Sequence, residues 1–145
     1  MHASKLEPVK TIAEQVRDRM ETWCEDKHFV TPNMCGACAI CSYVLVKVLN
    51  RCGYQAELVL GKYDIENHCW VELENSIIDI TATQFGIKLP KVHIAKARNR
   101  MYRPEAYGRA AMLRLKKGWG EGGPHPWAKR LEKTIKGLAR SVKEV

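Results

Sequence analysis

The chain has 145 residues, 46% of them hydrophobic, and a formal net charge of +8 at pH 7. This length and composition fit one domain with a hydrophobic core, which we take to span residues 1–145. The apolar stretch around residues 44–46 is interrupted by Lys47 and is far shorter than the roughly 20 residues that span a bilayer. The first residues contain no apolar run typical of a secretory signal. We therefore expect a cytoplasmic protein with no membrane partner.

Positive charge is concentrated in the C-terminal part of the chain. Residues 1–87 hold 8 Lys/Arg and 12 Asp/Glu, whereas residues 88–145 hold 16 Lys/Arg and 4 Asp/Glu. A region this basic can bind nucleic acid or an acidic protein, although the solvated face of a helix has the same composition. We favour the solvated face and keep an acidic or nucleic-acid partner as the alternative.

The first part of the chain predicts two helices. Residues 8–27 place apolar side chains at helical spacing, as an amphipathic helix does. Residues 35–51 are apolar on most sides, which is typical of a helix at the centre of a domain. Gly53 suits the left-handed position that commonly ends a helix, so we expect this central helix to stop just before it.

Three strands are predicted after the central helix, and two helices close the chain. The strands alternate apolar and polar residues or are rich in isoleucine, over residues 55–63, 68–73 and 76–81. Glu74 and Asn75 form the expected hairpin turn between the last two strands. Beyond Gln84 the pattern weakens, and we predict helices over residues 104–117 and 127–142, with a glycine- and proline-rich loop at 118–126.

Cys38, His68 and Asp79 form a candidate set for nucleophilic catalysis. A thiol in the first turn of a helix gains from the helix dipole and from free backbone N–H groups, which favour its thiolate. A histidine can then serve as its base, and an aspartate can orient the imidazole ring. A two-residue hairpin turn places Asp79 on the same sheet face as His68, whereas a three-residue turn separates them. An aspartate among isoleucines also requires a partner, because burying an unpaired charge is costly.

These residues lie in motifs that resemble the transglutaminase-like branch of the papain-like cysteine fold. Members carry Gly-x-Cys at a helix start, a later glycine, then His-(Ala/Cys)-Trp-Val-Glu and Asp-x-Thr. The resemblance covers about residues 33–86, which we take as the catalytic core. The corresponding segments here are Gly36-Ala37-Cys38, Gly53, His68-Cys69-Trp70-Val71-Glu72 and Asp79-Ile80-Thr81.

The resemblance implies an α+β fold in which the helix bearing Cys38 packs on a small antiparallel sheet. An N-terminal helix and a basic helical extension over residues 88–145 flank this core. It implies Cys38 as nucleophile, His68 as general base and acid, and Asp79 as the group that orients His68. Trp70 and Gln84 are assigned to the cleft and to substrate binding. No calcium-loop motif is apparent, and the oxyanion donors stay open.

The implied activity is thiol-dependent attack on a peptide or carboxamide bond through a thioester intermediate. Hydrolysis by a peptidase, isopeptidase or deamidase is favoured over acyl transfer to an amine. The substrate is then a protein or peptide, and the chemistry requires no cofactor and no metal.

Two other functions compete with this interpretation. Cys35, Cys38 and Cys41, together with His68-Cys69, supply soft ligands for a structural zinc ion. Against zinc, the three cysteines lie along a helix, and the adjacent His68 and Cys69 point to opposite faces of a strand. The second competitor is a basic nucleic-acid-binding domain, although no recognised motif of that class is present. Cys35 is the alternative nucleophile, because sequence locates a helix start only approximately.

Overall fold

A computed structural model describes residues 3–26, 38–86, 88–116 and 128–143, and the fold in these ranges is α+β. The described helices are α1 (Ala3–Asp26), α2 (Cys38–Arg51), α3 (Gly108–Lys116) and α4 (Ala128–Lys143), with a short 3₁₀ helix at Ala82–Phe85. The described strands are β1 (Glu57–Tyr63), β2 (Glu66–Leu73), β3 (Ser76–Asp79), β4 (His93–Lys96) and β5 (Tyr102–Tyr107). None of the helices in these ranges is both long and apolar enough to cross a bilayer.

The strands form one antiparallel sheet in the order β4-β3-β2-β1-β5. β1, β2 and β3 are neighbours in the sheet as they are in the chain, so local hairpins build its centre. β4 and β5 add to opposite sides and form its two edges. The strand that carries His68, β2, is therefore the middle strand.

The central helix α2 packs on this sheet, as the sequence predicts. Ten of its fourteen residues are buried, which fits a helix enclosed by the sheet on one side and by α1 and α4 on others. Helix α2 ends at Arg51, and Gly53 follows with φ of 96°. The Tyr54 N–H then donates to the Leu49 carbonyl at 3.1 Å, a pattern that satisfies free carbonyls at a helix end. The predicted end of the helix is confirmed.

The hairpin between β2 and β3 has the two-residue turn on which the site depends. Leu73 pairs with Ser76 and Val71 with Ile78. Glu74 and Asn75 have φ of 48° and 67°, as a type I′ turn requires of both central residues. Continuing this register puts Asp79 across from residue 70, and therefore on the sheet face that also carries residue 68. The expected side-by-side placement of the histidine and the aspartate is confirmed.

The basic C-terminal part departs from the prediction. Two strands, β4 and β5, lie in a region that was expected to be helical from residue 104 or without regular structure. Pro104 lies inside β5, and helix α3 starts only at Gly108. A proline also suits the first turn of a helix, which explains the error. It is tolerated here because β5 is an edge strand, where the missing N–H breaks no inner ladder.

The remaining helix predictions are close to the observed elements. α1 begins five residues before its predicted start and includes Pro8. α4 matches the predicted last helix within one residue at each end. The predicted loop at residues 118–126 and the proposed start of the central helix at Cys35 lie outside the described residues.

Candidate active site

His68 and Asp79 form a fully buried pair at one end of the sheet. The His68 Nε2 atom lies 2.7 Å from Asp79 Oδ2, and both side chains have 0% exposure. This short contact joins neighbouring strands at the place that the hairpin register dictates. The pair gives an imidazole with a fixed orientation and a carboxylate directed at one of its nitrogens.

Cys38 completes the predicted set from the start of α2. Its thiol is close enough to the imidazole of His68 to contribute to the raised pKa of that ring, and the residue keeps 9% of its surface exposed. Cys38 is thus the most exposed of the three residues, since His68 and Asp79 are both 0% exposed. The structure brings Cys38, His68 and Asp79 together, although they are separated by up to 41 positions in the chain.

The Asp79 carboxylate is held through both of its oxygens. Oδ1 accepts hydrogen bonds from the Thr81 N–H at 2.9 Å and from the Thr81 hydroxyl at 3.3 Å. Oδ2, which faces His68, also accepts a bond from the Tyr102 hydroxyl at 2.7 Å. A carboxylate with several donors stays ionised and cannot rotate freely, which suits a group that orients a catalytic ring.

Electrostatics in the site favour a charged pair. Burial by itself lowers the pKa of His68, but the charge of Asp79 and hydrogen bonds with Asp79 and Cys38 outweigh it and raise the pKa to about 10. Burial likewise raises the pKa of Asp79, but the imidazolium charge and the bonds from His68, Thr81 and Tyr102 bring it below its usual value. The resting pair is therefore imidazolium and carboxylate at neutral pH.

The 3₁₀ helix that follows Asp79 supplies two more contacts to the imidazole. The Gln84 Nε2 atom lies 2.7 Å from His68 Nδ1. The Phe85 ring meets the imidazole edge-on at 4.7 Å between centroids, and Tyr63 stacks on Phe85 at 4.2 Å. Gln84, predicted to line the cleft, is thus placed against the ring nitrogen that Asp79 leaves available. An amide at this position can donate to the neutral imidazole, or turn and accept from the imidazolium.

Arg17 fixes this segment through hydrogen bonds from another helix. It lies in α1 and is only 3% exposed. Its guanidinium donates to the Ile80 carbonyl at 2.6 Å and to the Thr83 hydroxyl at 3.0 Å. These bonds hold the backbone between Asp79 and Gln84, the two residues that contact the imidazole.

Trp70 occupies a different place from the other predicted site residues. It is fully buried, and its indole packs beside the His68 ring at 5.9 Å and against Tyr102 at 5.1 Å between centroids. Its assignment to the core therefore fits its position, whereas its assignment to the cleft wall or to direct contact with substrate stays a prediction. The buried indole packs beside the imidazole and supports its position.

Three of the other described cysteines differ from Cys38 in their surroundings. Cys24 and Cys41 hydrogen-bond with each other in the core, which raises the pKa of Cys41 and lowers that of Cys24. Burial raises the pKa of Cys69. All three are 0% exposed, so a substrate cannot reach them without rearrangement.

The structure describes part of the cysteine cluster that was considered as a zinc site. Cys35 lies outside the described residues. Within the ranges that the structure describes, no group of three or more His, Cys, Asp or Glu side chains is arranged to hold a metal ion.

Sequence reasoning missed Tyr102 and Arg17. Neither lies in the motifs of residues 33–86, and each reaches the site from another part of the fold. A lone arginine in an amphipathic helix and a tyrosine among basic residues form no sequence pattern from which these contacts could be predicted.

Comparisons of this chain with protein-family models, curated proteins and solved structures find no match.

Proposed function

We propose that this chain is a cysteine-dependent enzyme of papain-like, transglutaminase-like type that acts on peptide or carboxamide bonds through a thioester. The observation that carries the proposal is the chain of contacts from the Cys38 thiol to the His68 imidazole and on to the Asp79 carboxylate. A thiol, base and orienting acid in hydrogen-bonding sequence is the arrangement that nucleophilic acyl chemistry requires.

Acylation starts with the proton of the Cys38 thiol already on His68, which is an imidazolium at neutral pH. The sulfur of Cys38 then attacks the carbonyl carbon, and the carbonyl oxygen takes on negative charge. Backbone N–H groups in the first turn of α2 are suited to bind this oxygen, because such groups have no partner within a helix. The imidazolium of His68 gives its proton to the leaving nitrogen as the carbon–nitrogen bond breaks, which leaves an acyl thioester on Cys38.

Deacylation reverses these roles. His68, now neutral, removes a proton from water or from an amine while that molecule attacks the thioester carbon. The carbon–sulfur bond breaks and the proton stays on His68, which restores the resting imidazolium beside the Cys38 sulfur. Water gives a carboxylic acid, whereas an amine gives a new amide, and we favour water as the acceptor.

Alkylation of the full-length protein by iodoacetamide tests the nucleophile. Peptide mass spectrometry should find that Cys38 reacts fastest at pH 7, and His68→Ala should slow its reaction. Cys52, which follows α2 and is partly exposed, provides the internal reference for an ordinary thiol. Equal rates at Cys38 and Cys52, unchanged by His68→Ala, would refute an activated nucleophile.

Turnover is tested with a library of glutamine-containing peptides, with and without hydroxylamine. Mass spectrometry separates three products: a deamidated peptide, a cleaved peptide and a hydroxamate formed by transfer to hydroxylamine. All products should disappear in Cys38→Ser. An acyl adduct on Cys38 that hydroxylamine removes would identify the thioester itself.

Basic residues of α4 support a second candidate function, the binding of nucleic acid or an acidic protein. Lys133, Lys136 and Arg140 are exposed along this helix, and Arg51 of α2 borders the same surface. Arg51 also pairs with Glu132, which reduces the free positive charge. Binding to a labelled oligonucleotide should weaken steeply with salt if phosphates are contacted. Lys136→Glu should then weaken binding further, and the same affinity in both proteins would exclude this surface.

A further inference from the structure

Tyr102 contacts the candidate catalytic carboxylate from outside the segment that carries the motifs. Its hydroxyl donates to Asp79 Oδ2 at 2.7 Å, and Oδ2 is the oxygen that also receives His68 Nε2. The tyrosine is 2% exposed, so water does not compete for this bond. One carboxylate oxygen thus links the imidazole and the phenol.

The shape of the sheet is what makes this contact possible. β5 and β3 are separated by two strands, a distance on the order of 14 Å in a flat sheet at the usual strand spacing. A tyrosine side chain does not extend that far, so the sheet must curl at this end. The pairing of β1 with β5 shifts register between Leu60 and Gly61, and such irregularities increase local twist.

Gly61 permits the close approach of β5. A Cβ atom at this position would lie 2.1 Å from the Arg103 carbonyl oxygen and 2.9 Å from the Trp70 ring. Any side chain would push β5 away from β1, and Tyr102 is the residue directly before Arg103. The absence of a side chain at Gly61 therefore contributes to the position of the Tyr102 hydroxyl.

The ring of Tyr102 is held by aromatic neighbours. Tyr63 and Trp70 meet it edge-on at 5.0 Å and 5.1 Å between centroids, and His93 stacks on it at 6.2 Å. Burial and the nearby charge of Asp79 raise the pKa of Tyr102, so its hydroxyl keeps its proton and remains a donor. Because the ring is held in place and the hydroxyl keeps its proton, the hydroxyl donates a hydrogen bond to Asp79.

We infer that Tyr102 is a positioning residue, which holds the Asp79 carboxylate ionised and aligned with His68 during the proposed thiol chemistry. This inference rests on the proposed function for its catalytic meaning. Its physical content, a hydrogen bond that controls the ionisation of Asp79 and hence the state of His68, is independent of any substrate.

Tyr102→Phe in the full-length protein removes the hydroxyl and keeps the ring. Alkylation of Cys38 by iodoacetamide is measured from pH 4 to pH 9. We expect the rate at pH 7 to fall about tenfold, less than the roughly 10²–10⁴-fold that a proton-transfer group itself contributes, because Tyr102 acts only through Asp79. The acid limb of the profile should move to higher pH, because Asp79 loses a donor that stabilises its anion. Tyr107→Phe is the matched control, since Tyr107 lies at the other end of β5 and is 43% exposed.

A double-mutant cycle separates positioning from general support of the fold. In the Asp79→Asn background, Tyr102→Phe should cost little further reactivity, because the carboxylate on which the hydroxyl acts is gone. An equal cost in both backgrounds would overturn the inference. An unchanged acid limb in Tyr102→Phe would overturn it as well.

Two further measurements cover the remaining outcomes. If Tyr102→Phe does not fold, 3-fluorotyrosine at position 102 keeps the ring and makes the hydroxyl a stronger donor, so the acid limb should move to lower pH. An acid limb that does not move would count against the role of Tyr102.

If Cys38 of the unmodified protein reacts no faster than Cys52, the proposed function fails. Nitrogen NMR of the His68 ring then tests Tyr102 alone, and an identical titration with and without its hydroxyl would refute the inference.

Discussion

The two ends of β2 place ionisable groups on the same face of the sheet but in opposite electrostatic surroundings. At one end, His68 faces the buried Asp79, and the charges are of opposite sign. At the other end, Glu72 is paired across the sheet with Glu57, so two carboxylates face each other. Burial raises the pKa of Glu72, and the charge of Glu57 adds to that effect. Asp79 is more deeply buried, yet its pKa is lowered.

The comparison teaches that burial alone favours the neutral form of a carboxyl group. Only a nearby opposite charge and directed hydrogen bonds reverse this preference, and the fold provides both at the Asp79 end. The Glu72 end receives one weak donor, the Trp70 indole at 3.4 Å. The pKa values of two carboxyl groups on one sheet face are thus perturbed in opposite directions, each by its own neighbours.

The largest effect is expected from removing the charge at the candidate catalytic end. Asp79→Asn leaves His68 buried without its counter-charge, and breaking such a pair costs about 3–5 kcal/mol. Urea denaturation at pH 7 should report this loss in the free energy of unfolding. The rate of Cys38 alkylation should fall in the same variant. A change in the free energy of unfolding no larger than the change in Glu72→Gln would show that the two ends are equivalent.

Curvature of the sheet at the His68 end is tested next. Gly61→Ala forces a Cβ against the β5 backbone and should destabilise the protein by about 2–3 kcal/mol, as overpacking does. Gly137→Ala is the control, because a Cβ there meets nothing within 4 Å and alanine favours a helix by roughly 1 kcal/mol. Thermal unfolding should therefore move in opposite directions for the two variants. A neutral Gly61→Ala would mean that β5 need not lie so close to β1.

The pH dependence of stability provides an effect that is spread over several pH units. The pKa of His68 is about 10 in the folded protein and about 6.5 in the unfolded chain, so the folded state holds the extra proton between these values. The contribution of His68 is fully present below about pH 6.5 and is lost as pH rises through about 10. Relative to His68→Gln, the unmodified protein should lose at most about 1.4 kcal/mol per pH unit in this window. A flat difference between the two unfolding curves would contradict the charged pair.

The smallest effect is expected at the Glu72 end. Glu72→Gln relieves repulsion from Glu57 and keeps an amide oxygen that can accept from Trp70. We expect a gain of about 0.5 kcal/mol or less at pH 7, because like charges directly opposite on paired strands are mildly destabilising. The gain should shrink at low pH, where the carboxyl groups are protonated in both proteins. A clear loss of stability would show that Glu72 has an unrecognised favourable partner.

The local sequence pattern predicted the structure correctly where the conformation of a segment depends only on its own residues. The apolar α2, its end at Gly53 and the two-residue turn at Glu74-Asn75 all follow from neighbouring residues. That turn length settled which face Asp79 occupies. The proximity of His68 and Asp79 was therefore predictable from residues that lie eleven positions apart.

The sequence pattern did not predict the two edge strands of the sheet, β4 and β5. In β5 only the side chains of Tyr102 and Ala106 are buried, so the strand lacks the regular alternation by which strands are recognised. Pro104 then suggested a helix start, since proline fits both a first helical turn and an edge strand. Only the pairing with β1 decides between these uses, and pairing is not visible in a short segment.

The sequence by itself determined the chemical types and their order along the chain: a thiol at a helix start, then a histidine and an aspartate in register on one hairpin. Helical spacing, glycine conformation and turn length act over a few residues, so they can be read directly. The tertiary structure alone decided which distant groups complete the site. Tyr102 reaches Asp79 across a curled sheet, and Arg17 fixes the backbone after Asp79 from α1. Such contacts depend on how the layers pack, and this packing is a property of the whole chain.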